Sequence, residues 1–294
     1  MLTASLLAAL CMPAHAQVAP DTPPEPGDRP QTVANGYLPL WELGLIGGAA
    51  FTPAYPGSSG RSSRVLALPY FVYRGKVLRT DAGGLGARLI TSDRIELDAG
   101  VSLSLPARSD KNSARAGMPD LGTLLEAGPR LKIKLLQIDP TTRLRLELPL
   151  RAVLSTNSGV KHRGFTFEPR IGLGTRFVEQ RTSVDASFGA VFGDSGLNRY
   201  LYDVSPQYAL PSRPAYHARA GLTLLRAGLS ASHNYTPDVR LFGFLRYESY
   251  AAATNRDSPL LTAANGVGAG FGIAWTFRRS STMSPTPTMT ATSQ

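Results

Sequence analysis

Residues 267–277 read VGAGFGIAWTF, and large apolar side chains alternate there with very small ones. Odd-numbered positions hold Val, Ala, Phe, Ile, Trp and Phe, whereas even-numbered positions hold Gly, Ala and Thr. Successive side chains of a β-strand point to opposite faces, so one face is apolar and ends in two aromatic rings while the other is small. This pattern is typical of a lipid-facing strand. It predicts an all-β fold, an antiparallel transmembrane β-barrel.

The rest of the chain predicts about twelve strands, with ten as the alternative number. Its 29 glycines and 23 prolines suit many turns, and most of the predicted strands come close to the roughly 9 to 11 residues that a tilted membrane strand needs. The predicted strands are 39–51, 63–73, 76–90, 94–105, 121–136, 142–154, 164–177, 181–193, 215–224, 226–236, 238–250 and 264–277.

A soluble β-sandwich is the alternative, because its strands alternate as well. Three features favour the membrane: long strands, an N-terminal export signal, and aromatic residues near strand ends, where a barrel places its interfacial girdles. Those aromatic residues are Trp41, Tyr70, Tyr73, Tyr250, Trp275 and Phe277.

Both ends of the chain are predicted to lie outside the barrel. Residues 1–16 are predicted to be a cleaved signal peptide, since a short apolar segment precedes the small-x-small pattern AHA at 14–16. Residues 17–36 are rich in Pro and predict an unstructured periplasmic lead-in, and 278–294 predict a disordered Ser/Thr/Pro tail. The barrel is therefore expected over 37–277.

Charge and cysteine content restrict the chemistry. The only cysteine, Cys11, falls in the signal segment, so no disulfide framework is expected in the mature chain. The net charge of +10 would suit nucleic acid, but the charges are scattered along strands and an exported chain meets other polyanions. We expect contacts with outer-membrane lipid and lipopolysaccharide, and no nucleic acid.

In several strands the face opposite the apolar one is charged. An Arg or Lys that faces lipid at the bilayer midplane costs roughly 2 to 4 kcal/mol, so these charges are predicted to line the lumen. Two interpretations stay open: a network of Arg–carboxylate pairs that plugs the barrel, or a cation-lined channel that favours anions. The predicted lumen charges are Glu96, Asp98, Glu126, Arg130, Lys132, Lys134, Arg143, Arg145, Glu147, Arg151, Glu168, Arg170 and Asp185.

Glu126 is an acid on a strand otherwise rich in bases. We expect it to pair with Arg143 or Arg145 on the next strand, where opposite charges contribute up to about 1 kcal/mol. This predicts a structural role rather than a catalytic one.

Two connections carry further candidates. The segment YPGSS, 55–59, contains a Pro-Gly pair that fits a tight turn with Gly at positive φ, and a binding loop is the alternative. Tyr200, Tyr202 and Tyr208 lie in the connection 194–214. Packing across the barrel mouth and binding of a partner are the two interpretations of these tyrosines.

The sequence does not predict an enzyme. The mature histidines His162, His217 and His233 lie in neither a G-x-S-x-G nor an H-E-x-x-H motif. No catalytic residue, metal site or cofactor is therefore expected.

Short segments between Trp41 and Phe277 resemble a known family in their order and spacing. They are 55–59 (YPGSS), 69–75 (PYFVYRG), 115–122 (RAGMPDLG), 126–129 (EAGP), 200–204 (YLYDV), 213–216 (RPAY) and 257–260 (DSPL). The family is that of the MipA/OmpV outer-membrane proteins, also called MltA-interacting proteins. The matching residues include Tyr55, Pro56, Gly57, Ser58, Pro119, Asp120, Gly128 and Tyr202.

This resemblance implies an outer-membrane β-barrel of a Gram-negative bacterium. It also implies partners, since the member that names the family is described as a scaffold between a lytic transglycosylase and a murein synthase. Other members are described as porin-like. We therefore expect a scaffold for murein-remodelling enzymes, with a narrow, anion-selective diffusion channel as the alternative.

The predicted strand count also bears on which side each loop faces. Twelve strands counted from a periplasmic N-terminus place the long connections 106–120 and 194–214 in the periplasm, where a scaffold would use them. One miscounted strand moves every later loop to the other side.

Overall fold

The computed structural model describes residues 38–81, 84–104, 113–156 and 159–284. The predicted signal peptide, the lead-in and residues 285–294 lie outside this part of the chain. The described strands are β1 (Trp41–Pro53), β2 (Arg61–Tyr73), β3 (Leu78–Asp81), β4 (Gly84–Thr91), β5 (Ile95–Ser104), β6 (Leu124–Gln137), β7 (Thr142–Ser155), β8 (Lys161–Phe167), β9 (Arg170–Phe177), β10 (Thr182–Gly193), β11 (Gly221–Asn234), β12 (Val239–Ser249) and β13 (Asn265–Arg279). One α-helix, α1 (Ser195–Tyr202), and two 3₁₀ turns, Ser113–Arg115 and Pro206–Tyr208, lie in the connections.

All strands join one antiparallel sheet in the order β2-β1-β13-β12-β11-β10-β8-β7-β6-β5-β4-β3. β9 continues β8 after a break at Glu168-Pro169, and both pair with β7 and β10, so the sheet has twelve strand positions. The two ends of the order, β2 and β3, are neighbours in the chain. There the Thr80 hydroxyl accepts from the Tyr73 amide (2.6 Å) and donates to the Phe71 carbonyl (3.1 Å). The predicted antiparallel barrel of about twelve strands is confirmed.

Two stretches differ from the prediction in their number of strands. The range 76–90 was predicted as one strand, but it forms the hairpin β3–β4, and its Gly83-Gly84 pair is a strong turn signal. The ranges 215–224 and 226–236 were predicted as two strands, but one strand, β11, covers 221–234 because no Gly or Pro interrupts it at Leu225. One predicted strand is thus two, and two predicted strands are one, so the number of strand positions is still twelve.

The barrel has two unlike ends. The terminal end carries Leu38 and Ser284, and short turns join the strands there. The loop end carries the longer connections. Because 76–90 is a hairpin, β5 and β10 both end at the loop end, and so do the described residues 113–120 and 194–214 of the connections that follow them. The predicted periplasmic placement was therefore wrong. Outer-membrane barrels keep short turns in the periplasm, which assigns the terminal end to that side.

The strand β13 runs further than predicted. It continues to Arg279, and the bridge Pro39–Met283 together with the Ser284 amide bond to Leu38 O (2.7 Å) ties the next residues to the start of β1. The tail predicted from 278 therefore begins with ordered residues that close the terminal end.

The two faces of the wall differ as the opening segment predicts. On β13 the side chains of Val267, Phe271 and Trp275 are 49%, 72% and 50% exposed, whereas Ala274 and Thr276 on the other face are 2% and 4% exposed. The apolar side chains thus point outward. Among the described residues no helix is long and apolar enough to cross a membrane.

Gly128 permits a close approach between β6 and β7. A Cβ at this position would collide with the carbonyl oxygen of Leu150, whereas a Cβ at its cross-strand partner Gly100 would have no atom within 4 Å. We expect Gly128→Ala to reduce the yield of folded barrel several-fold, because the backbone cannot move aside without breaking the ladder. Gly100→Ala is the matched control and should refold like the wild type. The measurement is the heat-modifiable band on electrophoresis, and equal yields would contradict the steric argument.

Candidate functional site

The inner face of the barrel carries a network of ion pairs. The first group lies on β5 and β6. There Arg130 Nη2 lies 2.9 Å from Asp98 Oδ2, and the Lys132 ammonium lies 3.2 Å from both Glu96 and Asp98. Arg88 adds a second cation at 3.0 Å from Glu96. The cross-strand register β5–β6 places these residues opposite one another, which explains the pairing.

Glu147 is the centre of the next group. Its two carboxylate oxygens bind different cations, Arg145 at 2.7 Å and Arg170 at 2.6 Å. Arg145 also reaches Asp185 at 2.6 Å by crossing the inner face of β9. Gly172 and Gly174 leave room for that crossing, since a Cβ at either would touch the Arg145 guanidinium. The sequence permits the ion pair between Arg145 and Asp185 because successive inner-face positions of β9 are both glycine.

A third group lies toward the loop end. Arg226 contacts Glu168 at 2.7 Å and Glu248 at 2.8 Å, and Arg246 lies 3.3 Å from Glu248. Arg246 and Glu248 are only 2% and 3% exposed. Ions buried to this extent need partners, and each has one.

Glu126 does not pair as expected. Its carboxylate lies 3.4 Å from Arg151, while in the ladder Arg143 stands opposite Gln137 and Arg145 opposite Lys134. The prediction of Arg143 or Arg145 was wrong because Glu126 is at the loop end of β6 and both arginines are at the terminal end of β7. Lys134 is exposed on the inner face, and within the described chain it has no ion-pair partner.

The predicted lumen charges are thus mostly brought together in oppositely charged groups. Glu147, Asp98, Arg130 and Glu168 are each 8% exposed or less, so little water reaches them. Of the two interpretations left open by the sequence, the arrangement favours the plug of ion pairs over a wide channel.

A folded cap covers the lumen at the loop end. Its core contains Tyr55, Leu121, Leu201 and Tyr202, and it packs on Val153, an inner-face residue of β7. Asp194 caps α1 by accepting from the Leu197 amide (2.8 Å). We define the cap as residues 54–60, 113–123, 194–220 and 250–264.

Hydrogen bonds join the four cap segments. The Tyr55 hydroxyl donates to Leu260 O (2.6 Å), and the Tyr202 hydroxyl donates to Pro56 O (3.2 Å). Arg115 donates to Leu201 O (3.1 Å). The segments thus form one unit across the mouth, which supports mouth packing for Tyr202.

The family-motif residues meet in this cap. Gly57 has φ +81° and accepts from the amides of Thr262 and Ala263, Ser58 is 4% exposed, and Pro119 O accepts from Arg115 at 3.2 Å. Asp120 precedes the buried Leu121 at an exposed position. Six of the eight motif residues therefore lie in the cap with contacts to other cap residues, and four of them, Tyr55, Pro56, Gly57 and Tyr202, bond between its segments. Asp120 lies on the surface of the cap, and Gly128 lies in the wall.

Burial shifts the acidity of the cap tyrosines. It raises the pKa of Tyr55 to about 12, against an opposing contribution from Arg115, and it raises the pKa of Tyr202, with the Glu248 carboxylate adding to the shift.

The raised pKa values predict how the cap responds to alkali. A raised folded-state pKa gives stability that is complete below the unfolded value near 10 and is lost as pH rises through the folded value. We expect the cap to open between about pH 10 and 12, as seen by tyrosinate absorbance at 295 nm. Because burial raises the pKa of Tyr202, Tyr202→Phe should remove part of the late phase. A single phase centred near pH 10 for all tyrosines would contradict the buried cap.

Sequence reasoning missed several residues of the network and the cap. Arg226 lay at the false boundary between two predicted strands, so its face was not assigned. Arg246 and Glu248 share the inner face of β12 with Phe242 and Phe244, and this mixture hides the charge alternation. Long-range contacts such as Asn255 Nδ2 to Arg219 O (2.8 Å) have no local signal.

The described part of the chain contains no group of three His, Cys, Asp or Glu side chains that could hold a metal ion. Among the described histidines, the exposed His217 lies 3.6 Å from Asp203 through Nδ1, and His233 Nδ1 lies 2.9 Å from the Thr182 hydroxyl.

An antiparallel barrel with an apolar outer face and a charged, ion-paired interior is the structure of an outer-membrane β-barrel protein. A family model described as MltA-interacting protein MipA matches residues 44–277. The chain belongs to this family, and it is a protein of the Gram-negative outer membrane. The predicted family resemblance and location are confirmed. A comparison with curated protein sequences gave no match.

Solved structures with similar folds include several outer-membrane proteins. A bacterial polysaccharide outer membrane secretin has 11% identity and a TM-score of 0.38 over 81% of this chain and 99% of that one. OmpT of Vibrio cholerae has 8% identity and a TM-score of 0.35 over 83% and 100%. Outer membrane phospholipase A from Escherichia coli has 13% identity and a TM-score of 0.31 over 84% and 98%. Values this low do not indicate a shared activity.

Proposed function

We propose that this protein is a non-enzymatic scaffold of the cell envelope, a barrel with a capped, ion-paired lumen that holds murein-remodelling enzymes at its periplasmic end. The observation that carries the proposal is the ion-paired inner face, in which Glu147, Arg246 and Glu248 are almost fully buried beneath a folded cap. Such an interior offers no wide water path to a solute. A role in binding other proteins fits it better than transport.

The family supports the choice of partner. Its model is described as an MltA-interacting protein, and MltA is a murein enzyme. We propose a lytic transglycosylase as the direct partner, with a murein synthase as the second enzyme of the assembly.

The terminal end is the proposed binding surface. The described residues 113–120 and 194–214 of the connections once expected to face the periplasm belong to the cap at the loop end, so they are not the proposed contact. The terminal end instead offers short exposed turns, including 178–181 and 235–238. Tyr235 is 69% exposed and is a good anchor, because tyrosine is enriched at protein interfaces.

Site-specific photo-crosslinking in native envelopes tests this proposal. A crosslinker at Tyr235 is expected to capture a lytic transglycosylase. The control is Arg256 in the cap, whose side chain is similarly exposed at 66% but lies at the opposite end. Absence of a murein enzyme at both Tyr235 and Gln180, or equal capture at Arg256, would contradict the proposal.

A narrow anion-selective channel is the second candidate. Lys134 favours it, because this inner-face lysine near the terminal end is exposed and has no ion-pair partner in the described chain. Ion conductance distinguishes the two candidates.

A further inference from the structure

One side of the lumen is apolar rather than charged. The pairing of β12, β13, β1 and β2 sets their inner-face residues in rows across the four strands. Apart from Ile46, the inner-face residues of the two middle strands in these rows are Gly or Ala, so the rows form the floor and walls of a trough. From the terminal end toward the loop end, the rows are Arg240–Ala274–Ile46–Leu68, Phe242–Gly272–Gly48–Leu66 and Phe244–Gly270–Ala50–Arg64.

The glycines of β13 shape this trough. A Cβ at Gly272 or Gly270 would collide with the ring of Phe242 or Phe244, so both rings lie against the inner face of β13. On the far side Leu66 and Leu68 are 38% and 50% exposed although they face inward. Aromatic and aliphatic surfaces thus face each other across a floor of glycine, alanine and Ile46. The trough is about 14 Å long from Arg240 to Phe244, at about 3.4 Å per residue.

Arg240 closes the terminal end of the trough, and it differs from the other inner-face arginines described above. Its Nε is buried without an acceptor, and no carboxylate in the described chain pairs with it. Its guanidinium carbon lies 6.0 Å from the centre of the Phe242 ring. Tyr70 and Thr276, in the next row, bond to each other through their hydroxyls. A partly buried guanidinium without an anion is unfavourable, so this position suits an anionic ligand group.

The barrel wall is incomplete beside this trough. β3 has four residues and ends at Asp81, whereas β2 continues to Arg61, so within the described residues the edge of β2 from Ser63 to Pro69 has no strand partner on that side. Pro69 is suited to such an edge because it has no amide hydrogen. Val65 there is 82% exposed.

An apolar groove outside the wall reaches the same edge. It has a volume of about 280 Å³. A hydrocarbon chain in the bilayer could therefore approach β2 along an apolar surface and enter the trough sideways. The groove is lined by Leu45, Ile46, Gly47, Ala67, Leu68, Pro69, Ile273 and Trp275.

We propose that this protein binds a long-chain carboxylate, a fatty-acid-like molecule, whose carboxylate pairs with Arg240 and whose acyl chain lies in the trough between the Phe242 and Phe244 rings and Leu66 and Leu68. The walls of the trough, β12 and β2, are separated by only two strands, β13 and β1. This width suits a single acyl chain. The site does not depend on a periplasmic partner, since none of its residues belongs to the exposed turns of the terminal end.

Fluorescence titration of the refolded protein with dansyl-labelled undecanoic acid tests the proposal. We expect saturable binding, displaced by decanoate, less well by decanol, and not by inorganic phosphate. Arg240→Met should weaken binding at least tenfold, while Lys134→Met, which removes an inner-face cation from the opposite wall, should leave it unchanged. Leu68→Trp, at a position exposed enough to accept a larger ring, should block the trough.

Heat modifiability confirms that each variant is folded before binding is compared. Three results would overturn the proposal: no saturable binding by the folded wild type, equal affinity in Arg240→Met and Lys134→Met, or displacement by phosphate alone. The last would mean that the trough plays no part and that Arg240 binds a free anion.

Discussion

Replacing Glu147 with glutamine is expected to lower the free energy of unfolding by about 3 kcal/mol or more, because breaking a buried ion pair leaves uncompensated charge. Glu147 holds both Arg145 and Arg170, and the substitution removes its charge without changing its size. Urea unfolding in lipid vesicles measures the effect through the fluorescence of the two tryptophans, Trp41 and Trp275.

The matched control is Glu179→Gln. Glu179 lies exposed in the turn after β9, and substitutions at such positions usually change stability by no more than about 0.5 kcal/mol. If Glu147→Gln unfolds at the same urea concentration as Glu179→Gln, the inner-face network does not hold the barrel together.

The second large effect is expected on the outer face. Phe271→Arg should lower the stability of the barrel by about 2 to 4 kcal/mol, because the charge would lie in the hydrocarbon near the bilayer midplane. Phe271 is in the middle of β13 and is 72% exposed. The measurement is the fraction that folds into vesicles as urea is diluted.

Tyr235→Arg is the control for this substitution. Tyr235 is 69% exposed, nearly as much as Phe271, but it lies in a turn at the terminal end where water is available. It should fold like the wild type. Equal losses for Phe271→Arg and Tyr235→Arg would mean that the outer face of β13 does not meet lipid.

The barrel wall could be predicted from the sequence because its signal is local. Alternation with period two in β13 assigns each residue to a face, and the same rule placed Glu147 and Arg145 on the inner face of β7. The strand boundaries at 76–90 and 215–236 were harder. One depends on a Gly-Gly turn, and the other on a strand that continues through Leu225.

The cap and the pairing within the lumen could not be predicted, because they depend on contacts between distant segments. Tyr55 and Leu260 are 205 residues apart in the chain, and Arg226 reaches Glu168 across β10. Even the partner of Glu126 depends on the stagger between β6 and β7, which the composition of either strand does not reveal. The family resemblance marked the cap residues without showing that they meet.

The account of a closed lumen is tested most directly by single-channel conductance of the refolded protein in a planar bilayer under a salt gradient. We predict no steady conductance for the wild type, because the ion pairs and the cap fill the path. Brief openings should appear in Glu147→Gln, in which the central group is broken. Steady anion-selective steps in the wild type would contradict the closed lumen and favour the channel.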